Sequence, residues 1–232
     1  MKNKALRLSI LVGFVCFLIS CQLLSNSKTP TPVYVVATAQ EPTLAPVFFY
    51  DDFSKDQNSW AVGDFPGEYA DITYKIENGL YVWTVKSHKL ANERTWPEID
   101  AIGDFTVTVD ARQTSNNADD CDYGLIYRDP TDKSLLSFTV SNQQYSVYSY
   151  STEENWIEII PWADSSAINP GEFNQLKVVN SNGDFTFYSN DQKLTSFNYS
   201  KISQGQLGLN VDVFPENATC GFEFDNFKVI KP

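Results

Sequence analysis

The sequence predicts an all-β domain, a two-sheet antiparallel β-sandwich or jelly roll, on three observations. Apolar and polar residues alternate with period two along several segments, clusters of Asn, Gly, Asp and Pro separate those segments at short and fairly regular spacing, and no stretch keeps a helical period for long. Period two with β-branched and aromatic residues is the signature of half-buried strands, and many short strands over one domain indicate a sandwich.

The chain of 232 residues opens on a different kind of segment. Lys2, Lys4 and Arg7 precede an apolar run over 8–19, broken only by Ser9 and Gly13. A membrane span needs about 20 apolar residues, so a basic start with a short apolar core predicts an export signal over 1–20. The run ends Leu18-Ile19-Ser20-Cys21, which resembles the lipobox of bacterial lipoproteins. The resemblance implies that Cys21 carries a diacylglyceryl group and begins the mature chain, so that the protein is exported and held by lipid on the outer face of a bacterial membrane. Two or three acyl chains anchor stably where one does not.

Residues 21–46 follow as a tether. Ser, Thr and Pro dominate, with Lys28 and Glu41 as the only charges. Such a stretch cannot bury enough apolar surface to offset its ordering entropy, and its prolines favour an extended spacer.

Residues 47–232 have room for one ordinary domain with no second linker. Removal of 1–20 takes away three basic and no acidic residues, leaving 14 basic against 29 acidic, a balance of −15. A chain this acidic is not expected to bind nucleic acid or an anionic surface through charge. Cys16 leaves with the signal and Cys21 is lipidated, so Cys121 and Cys220 remain, and two cysteines outside the cytoplasm are expected to pair. Each begins a strand. A bridge between them therefore requires either a parallel relation or a loop that folds back.

The strands read off in order. Tyr81, Trp83 and Val85 share one face. Phe105, Val107, Val109 and Ala111 alternate with polar residues, Phe185 pairs with Phe187, and Phe222, Phe224, Phe227 and Val229 close the chain. Turn signals stand between them: Asn78-Gly79, Asn142-Gln143, Asn169-Pro170-Gly171, Asn182-Gly183 and Asn190-Asp191. The paired motifs Asp51-Asp52-Phe53 and Phe224-Asp225-Asn226-Phe227 place the first and last strands side by side.

This ordered set resembles the concanavalin A-like lectin/glucanase superfamily. More narrowly, it resembles the laminin-G-like exported domains of bacteria and the 3-keto-disaccharide hydrolase-like domain. The residues that carry the resemblance run from Tyr50-Asp51-Asp52-Phe53-Ser54 and Trp60, through Gly79-Leu80-Tyr81 and Tyr123-Gly124-Leu125-Ile126-Tyr127-Arg128, to Gly205-Gln206-Leu207-Gly208-Leu209 and Phe224-Asp225-Asn226-Phe227. It implies a concanavalin A-like jelly roll, a fold shared by lectins, glycosidases and adhesion modules.

Glycanases on this fold carry Glu, apolar, Asp, two apolar residues, Glu on one strand. The nearest stretch is Glu98-Ile99-Asp100-Ala101-Ile102-Gly103, with Gly103 where the second Glu belongs. Without that acid the leaving group is not protonated, so no catalytic residues are expected and the domain leans away from an enzyme. His88, the single histidine, reads as a surface residue.

Ligand binding has three candidates. Tyr148 and Tyr150 share a strand face opposite Tyr145 and Val147, about 6.8 Å apart along the strand, near the width of a sugar ring. Trp96 lies in a polar stretch. With the acidic balance, these suggest a neutral or cationic glycan held by stacking. The superfamily resemblance also implies a possible structural Ca²⁺: Asp51 and Asp52 near Asp225 and Asn226, or Asp119, Asp120 and Asp122 around Cys121. Three functions compete. They are a surface-displayed carbohydrate-binding, lectin-like domain without catalytic activity, a non-enzymatic envelope module, and a glycan-active hydrolase. Exposed aromatics on a concave sheet favour the first. Two carboxylates facing each other in a cleft favour the third.

Overall fold

The computed structural model describes residues 46–115 and 121–232. The signal segment, Cys21 and the tether up to residue 45 lie outside the described residues, as do Asp119 and Asp120.

Every described element is a strand. In chain order they begin β1 (Val47–Asp51), β2 (Gly63–Pro66), β3 (Ala70–Glu77), β4 (Leu80–Ser87) and β5 (Ala91–Thr95). Next come β6 (Phe105–Gln113), β7 (Cys121–Arg128), β8 (Leu135–Ser141), β9 (Gln144–Ser151) and β10 (Asn155–Asp164). The last are β11 (Asn174–Ser181), β12 (Asp184–Ser189), β13 (Gln192–Asn198), β14 (Gln206–Val213) and β15 (Thr219–Ile230). They form two antiparallel sheets, the two layers of a jelly-roll sandwich. One runs β13-β12-β11-β6-β15-β4-β3-β2, and β1 pairs with the second half of β15, opposite Phe227 to Ile230. The first and last strands are therefore adjacent, as their motifs predict. The other sheet runs β10-β9-β8-β7-β14-β5.

Alternation decides what each strand buries. β6 is buried at every odd residue from Phe105 to Gln113 and half-exposed between. Tyr81, Trp83, Val85, Phe185 and Phe187 are fully buried. Ring pairs tie the layers together: Tyr127 of β7 lies 5.0 Å from Phe105 and 5.8 Å from Phe185. The turn chemistry also holds, because Asn78, Gly79, Asn182 and Gly183 all take positive φ, as the two-residue hairpins β3–β4 and β11–β12 require.

Cys121 and Cys220 form a disulfide with Cα atoms 6.3 Å apart. It joins the two sheets, since β7 belongs to one and β15 to the other. Tyr123 and Phe222, two residues on in each strand, meet at 6.2 Å. The strands thus run the same way across the sandwich, which is the parallel relation that two strand-starting cysteines need.

The two carboxylates considered for Ca²⁺ sit where β1 meets β15. Asp52 accepts a hydrogen bond from the Ser54 N–H at 3.0 Å, and Asp225 accepts one from the Asn226 N–H at 2.7 Å. Asp51 is buried and accepts three bonds, from the Phe53 N–H at 2.8 Å, Asn58 Nδ2 at 2.7 Å and the Trp60 indole at 2.9 Å. Asp51 and Asp52 therefore cap the turn after β1, and Asp51 pins Trp60. No group of three or more His, Cys, Asp or Glu side chains among the described residues is arranged to hold a metal. Asp122, of the second candidate cluster, points away from the core on β7.

Candidate functional site on the outer face of the six-stranded sheet

Inward residues of β7 (Cys121, Tyr123, Leu125, Tyr127) and β14 (Leu207, Leu209, Val211, Val213) fill the core. Their neighbours therefore present to the other face. Hydrogen-bonded register places these in rows. Asn92 of β5 lies opposite Asp212 of β14, and Asp212 opposite Asp122 of β7. Arg94 lies opposite Asn210, and Asn210 opposite Gly124. Arg128 lies opposite Leu135, Leu135 opposite Tyr150, and Tyr150 opposite Trp156 of β10.

A groove runs over these rows. A cleft of about 660 Å³ is walled by Arg94, Trp96, Arg128, Tyr150 and Trp156. A second hollow of about 270 Å³ shares Leu90, Asn92 and Trp156 with the first and continues over Asp122, Tyr148, Trp162 and Asp212. The first volume falls in the range of small-molecule sites, roughly 300–1,000 Å³.

On β9 the side chains face as strand parity predicts. Val147 is buried, Tyr145 packs on Phe187 at 6.3 Å, and Tyr148 and Tyr150 face the groove. They do not form a bare platform. The Tyr148 ring lies 6.5 Å from Trp162 and the Tyr150 ring 5.2 Å from Trp156, so each tyrosine is half-covered by a tryptophan of β10. Trp156 keeps 45% of its surface exposed and is the more open stacking surface. Trp96 also reaches the groove, with the Arg128 guanidinium 4.4 Å from its ring centroid. All three expected aromatics thus line one groove.

The groove floor is polar. Asn92 Nδ2 donates to Asp212 at 2.6 Å, and Asn210 Nδ2 donates to Ser137 Oγ at 3.0 Å. Asn210 is fully buried and its Oδ1 has no partner among the described residues. Burial, then the Asp212 charge, pushes the Asp122 carboxyl up to about 8, against a smaller pull from the Ser141 hydroxyl. Burial also raises Asp212, opposed by its bond from Asn92 and by the Arg94 charge. Burial therefore favours the protonated form of Asp122, which can donate a hydrogen bond. Glu98 and Asp100, by contrast, lie off the strands, between β5 and β6.

Sequence reasoning overlooked Arg94, Arg128, Asn210, Asp212, Trp156 and Trp162 as groove residues. The signal for Asp212 was present: Gln206, Gly208, Asn210 and Asp212 alternate with four buried aliphatics. The adjacency of β14 to β5 and β7 was not.

No protein-family model matches this sequence, and no curated protein matches it. Solved structures match in fold. The catalytic domain of a laminarinase, an endo-1,3-β-glucanase from Thermotoga petrophila RKU-1, is 11% identical at TM-score 0.58, over 81% of this chain and 98% of that one. The carbohydrate-binding module CBM66 from Bacillus subtilis is 16% identical at TM-score 0.53, over 76% and 98%. A lichenase, a prokaryotic β-1,3-1,4-glucanase derived from a mouse hindgut metagenome, is 10% identical at TM-score 0.60, over 79% and 98%. Identities this low establish the fold, a concanavalin A-like jelly roll, and nothing of the ligand.

Proposed function

We propose that this chain binds a glycan along the outer face of its six-stranded sheet and holds it without cutting it, displayed outside the cell on a lipid at Cys21. One observation carries the reading: a groove that joins three tryptophans and three tyrosines to a floor of Asn, Asp, Ser and Arg side chains. Sugars present an apolar ring face and a hydroxyl edge. Aromatic walls take the first, and paired donors and acceptors take the second. Carbohydrate-active proteins of the same fold, among them a laminarinase and a carbohydrate-binding module, agree with this class of ligand. A glycan array probed with the purified chain tests it. We expect Trp156→Ala, and the double change Tyr148→Ala with Tyr150→Ala, to lose binding while remaining folded. The display half has its own test: Cys21→Ala is expected to leave the membrane fraction or to accumulate as a precursor.

A second reading rests on a separate feature. Asp122 and Asp212 are directly opposite on neighbouring strands, where Cβ atoms stand about 4.5–5.5 Å apart. Retaining glycosidases hold their two carboxyls about 5–5.5 Å apart. Asp122, whose carboxyl burial and the Asp212 charge push up to about 8, suits a general acid, with Asp212 the second carboxyl of the pair. Release of reducing ends from a bound glycan, abolished by Asp122→Asn with binding intact, would favour this reading over pure binding.

A further inference from the structure

We infer that the Trp96–Trp156 end of the groove is a subsite for an anionic group on the glycan, a carboxylate or a sulfate ester, held by the guanidinium groups of Arg94 and Arg128. The inference rests on the glycan reading and narrows its ligand class. It also reverses, for this end of the groove, the expectation of a neutral or cationic glycan drawn from net charge.

Both arginines are brought to the cleft by strand register. Arg94 is an outward residue of β5 and Arg128 closes β7, and each lies over an indole. The Arg94 Cζ is 5.2 Å from the Trp156 ring centroid, and the Arg128 Cζ is 4.4 Å from that of Trp96. A stacked guanidinium is covered on its flat face and donates from its edge, in the plane of its N–H groups. That geometry suits a bidentate oxyanion, and the stacking has already fixed the side chain.

Neither arginine forms an ion pair among the described residues, where the five ion pairs involve His88, Lys89, Arg112, Lys177 and Lys201. The Nε of Arg94 is buried and has no acceptor. The two cations are close enough to repel, and the Arg128 charge acts on Arg94. Asp212 and Glu93 offset part of the Arg94 charge. Asp129, next in the chain to Arg128, uses its carboxylate on the N–H and hydroxyl of Thr131, at 2.7 and 2.6 Å. Lys133 adds a third cation to the cleft wall. The acidic surface elsewhere matters little here, because salt screens charges beyond a Debye length of about 8 Å. Arg94 and Arg128, which form no ion pair among the described residues, set the charge of their own cleft together with Lys133.

The test uses the purified full-length chain on an array holding neutral, uronic-acid and sulfated oligosaccharides. Titration then follows with the best anionic binder and its neutral counterpart, made by carboxyl reduction or desulfation. We expect the anionic form to bind at least about tenfold tighter, the lower end for a charge-assisted pair. Whether the carboxylate or the sulfate series gives the preference names the group. Arg128→Gln is expected to bring the ratio of anionic to neutral affinity, both measured on the same variant, close to one, and Arg128→Lys to keep part of the preference. Thermal unfolding confirms that each variant is folded. Neutral binders alone, or a preference that survives both Arg128→Gln and Arg94→Gln, would overturn the subsite and leave the glycan reading standing. An array with no binder of any class would overturn the glycan reading and the subsite with it.

Discussion

Asp122 on β7 and Asp212 on β14 face each other across adjacent strands, on the outer surface of the six-stranded sheet, with Asn92 bonded to the second of them at 2.6 Å. Two acids at a directly opposed position are unfavourable when both are ionised. They are tolerated here because burial and mutual repulsion keep a proton on Asp122.

That proton makes stability depend on pH in an unusual direction. An unfolded Asp titrates near 3.9, whereas folded Asp122 titrates near 8. Between these values the native state binds more protons than the unfolded chain, so stability falls as pH rises from about 4 to about 8. The slope is at most about 1.4 kcal/mol per pH unit for one group. The raised Asp212 acts in the same direction. Unfolding midpoints measured from pH 4.5 to 8.5 should decline for the parent, and Asp122→Asn should remove much of the decline and be the more stable protein at pH 8. Parallel curves for the two proteins would contradict the assignment.

The Cys121–Cys220 bridge closes a loop of 99 residues in sequence separation. In the chain-entropy model a loop of that size contributes roughly 4.7 kcal/mol, as an upper figure. Cys121→Ser with Cys220→Ser, or prior reduction, should shift the urea unfolding midpoint strongly downward. Free thiols found by mass spectrometry in the oxidised protein would remove the bridge.

Asp51 is the hub of the turn after β1. Asp51→Ala leaves the Trp60 indole N–H and the Phe53 amide without their acceptor. A buried donor left unpaired costs about 1–3 kcal/mol, so we expect a loss of several kcal/mol in denaturant unfolding. Asp52→Ala, at an exposed position, should cost far less. Addition of EDTA separates this structural role from metal binding: an unchanged unfolding midpoint assigns the stability to the hydrogen bonds, and a fall in midpoint assigns part of it to a bound metal.

Gly124 lies midway along β7, where a Cβ would sit 1.9 Å from the Phe138 carbonyl oxygen. Backbone cannot yield at that position without parting β7 from β8. Gly124→Ala should therefore fail to fold or unfold at much lower temperature. Normal expression and an unchanged melting temperature would show that the strands can separate locally.

Much of the fold was legible because it depends on local chemistry. The alternation in β6, the Asn-Gly turns at 78–79 and 182–183, and the closing Phe-Asp-Asn-Phe motif each specify a strand or hairpin within a few residues. The facing of Tyr148 and Tyr150 followed from strand parity alone. Parity cannot say what stands on the next strand. Trp156 comes to cover Tyr150 because β10 pairs with β9 in the register that sets the two directly opposite, and Trp162 comes to Tyr148 from the segment of β10 where that register shifts.

By itself the sequence determined that the domain is an all-β sandwich with adjacent ends, because period and turn residues act over short distances. Only the tertiary structure decided where its chemistry gathers. Arg94, Arg128, Asp122 and Asp212 lie on three strands far apart in the chain, and β14 pairing between β5 and β7 brings them to one face. The sign of the charge in the cleft was decided in the same way. Net charge counts every residue equally, whereas a bound group feels chiefly the few charges within a Debye length, and these depend on how the strands are ordered in the sheet.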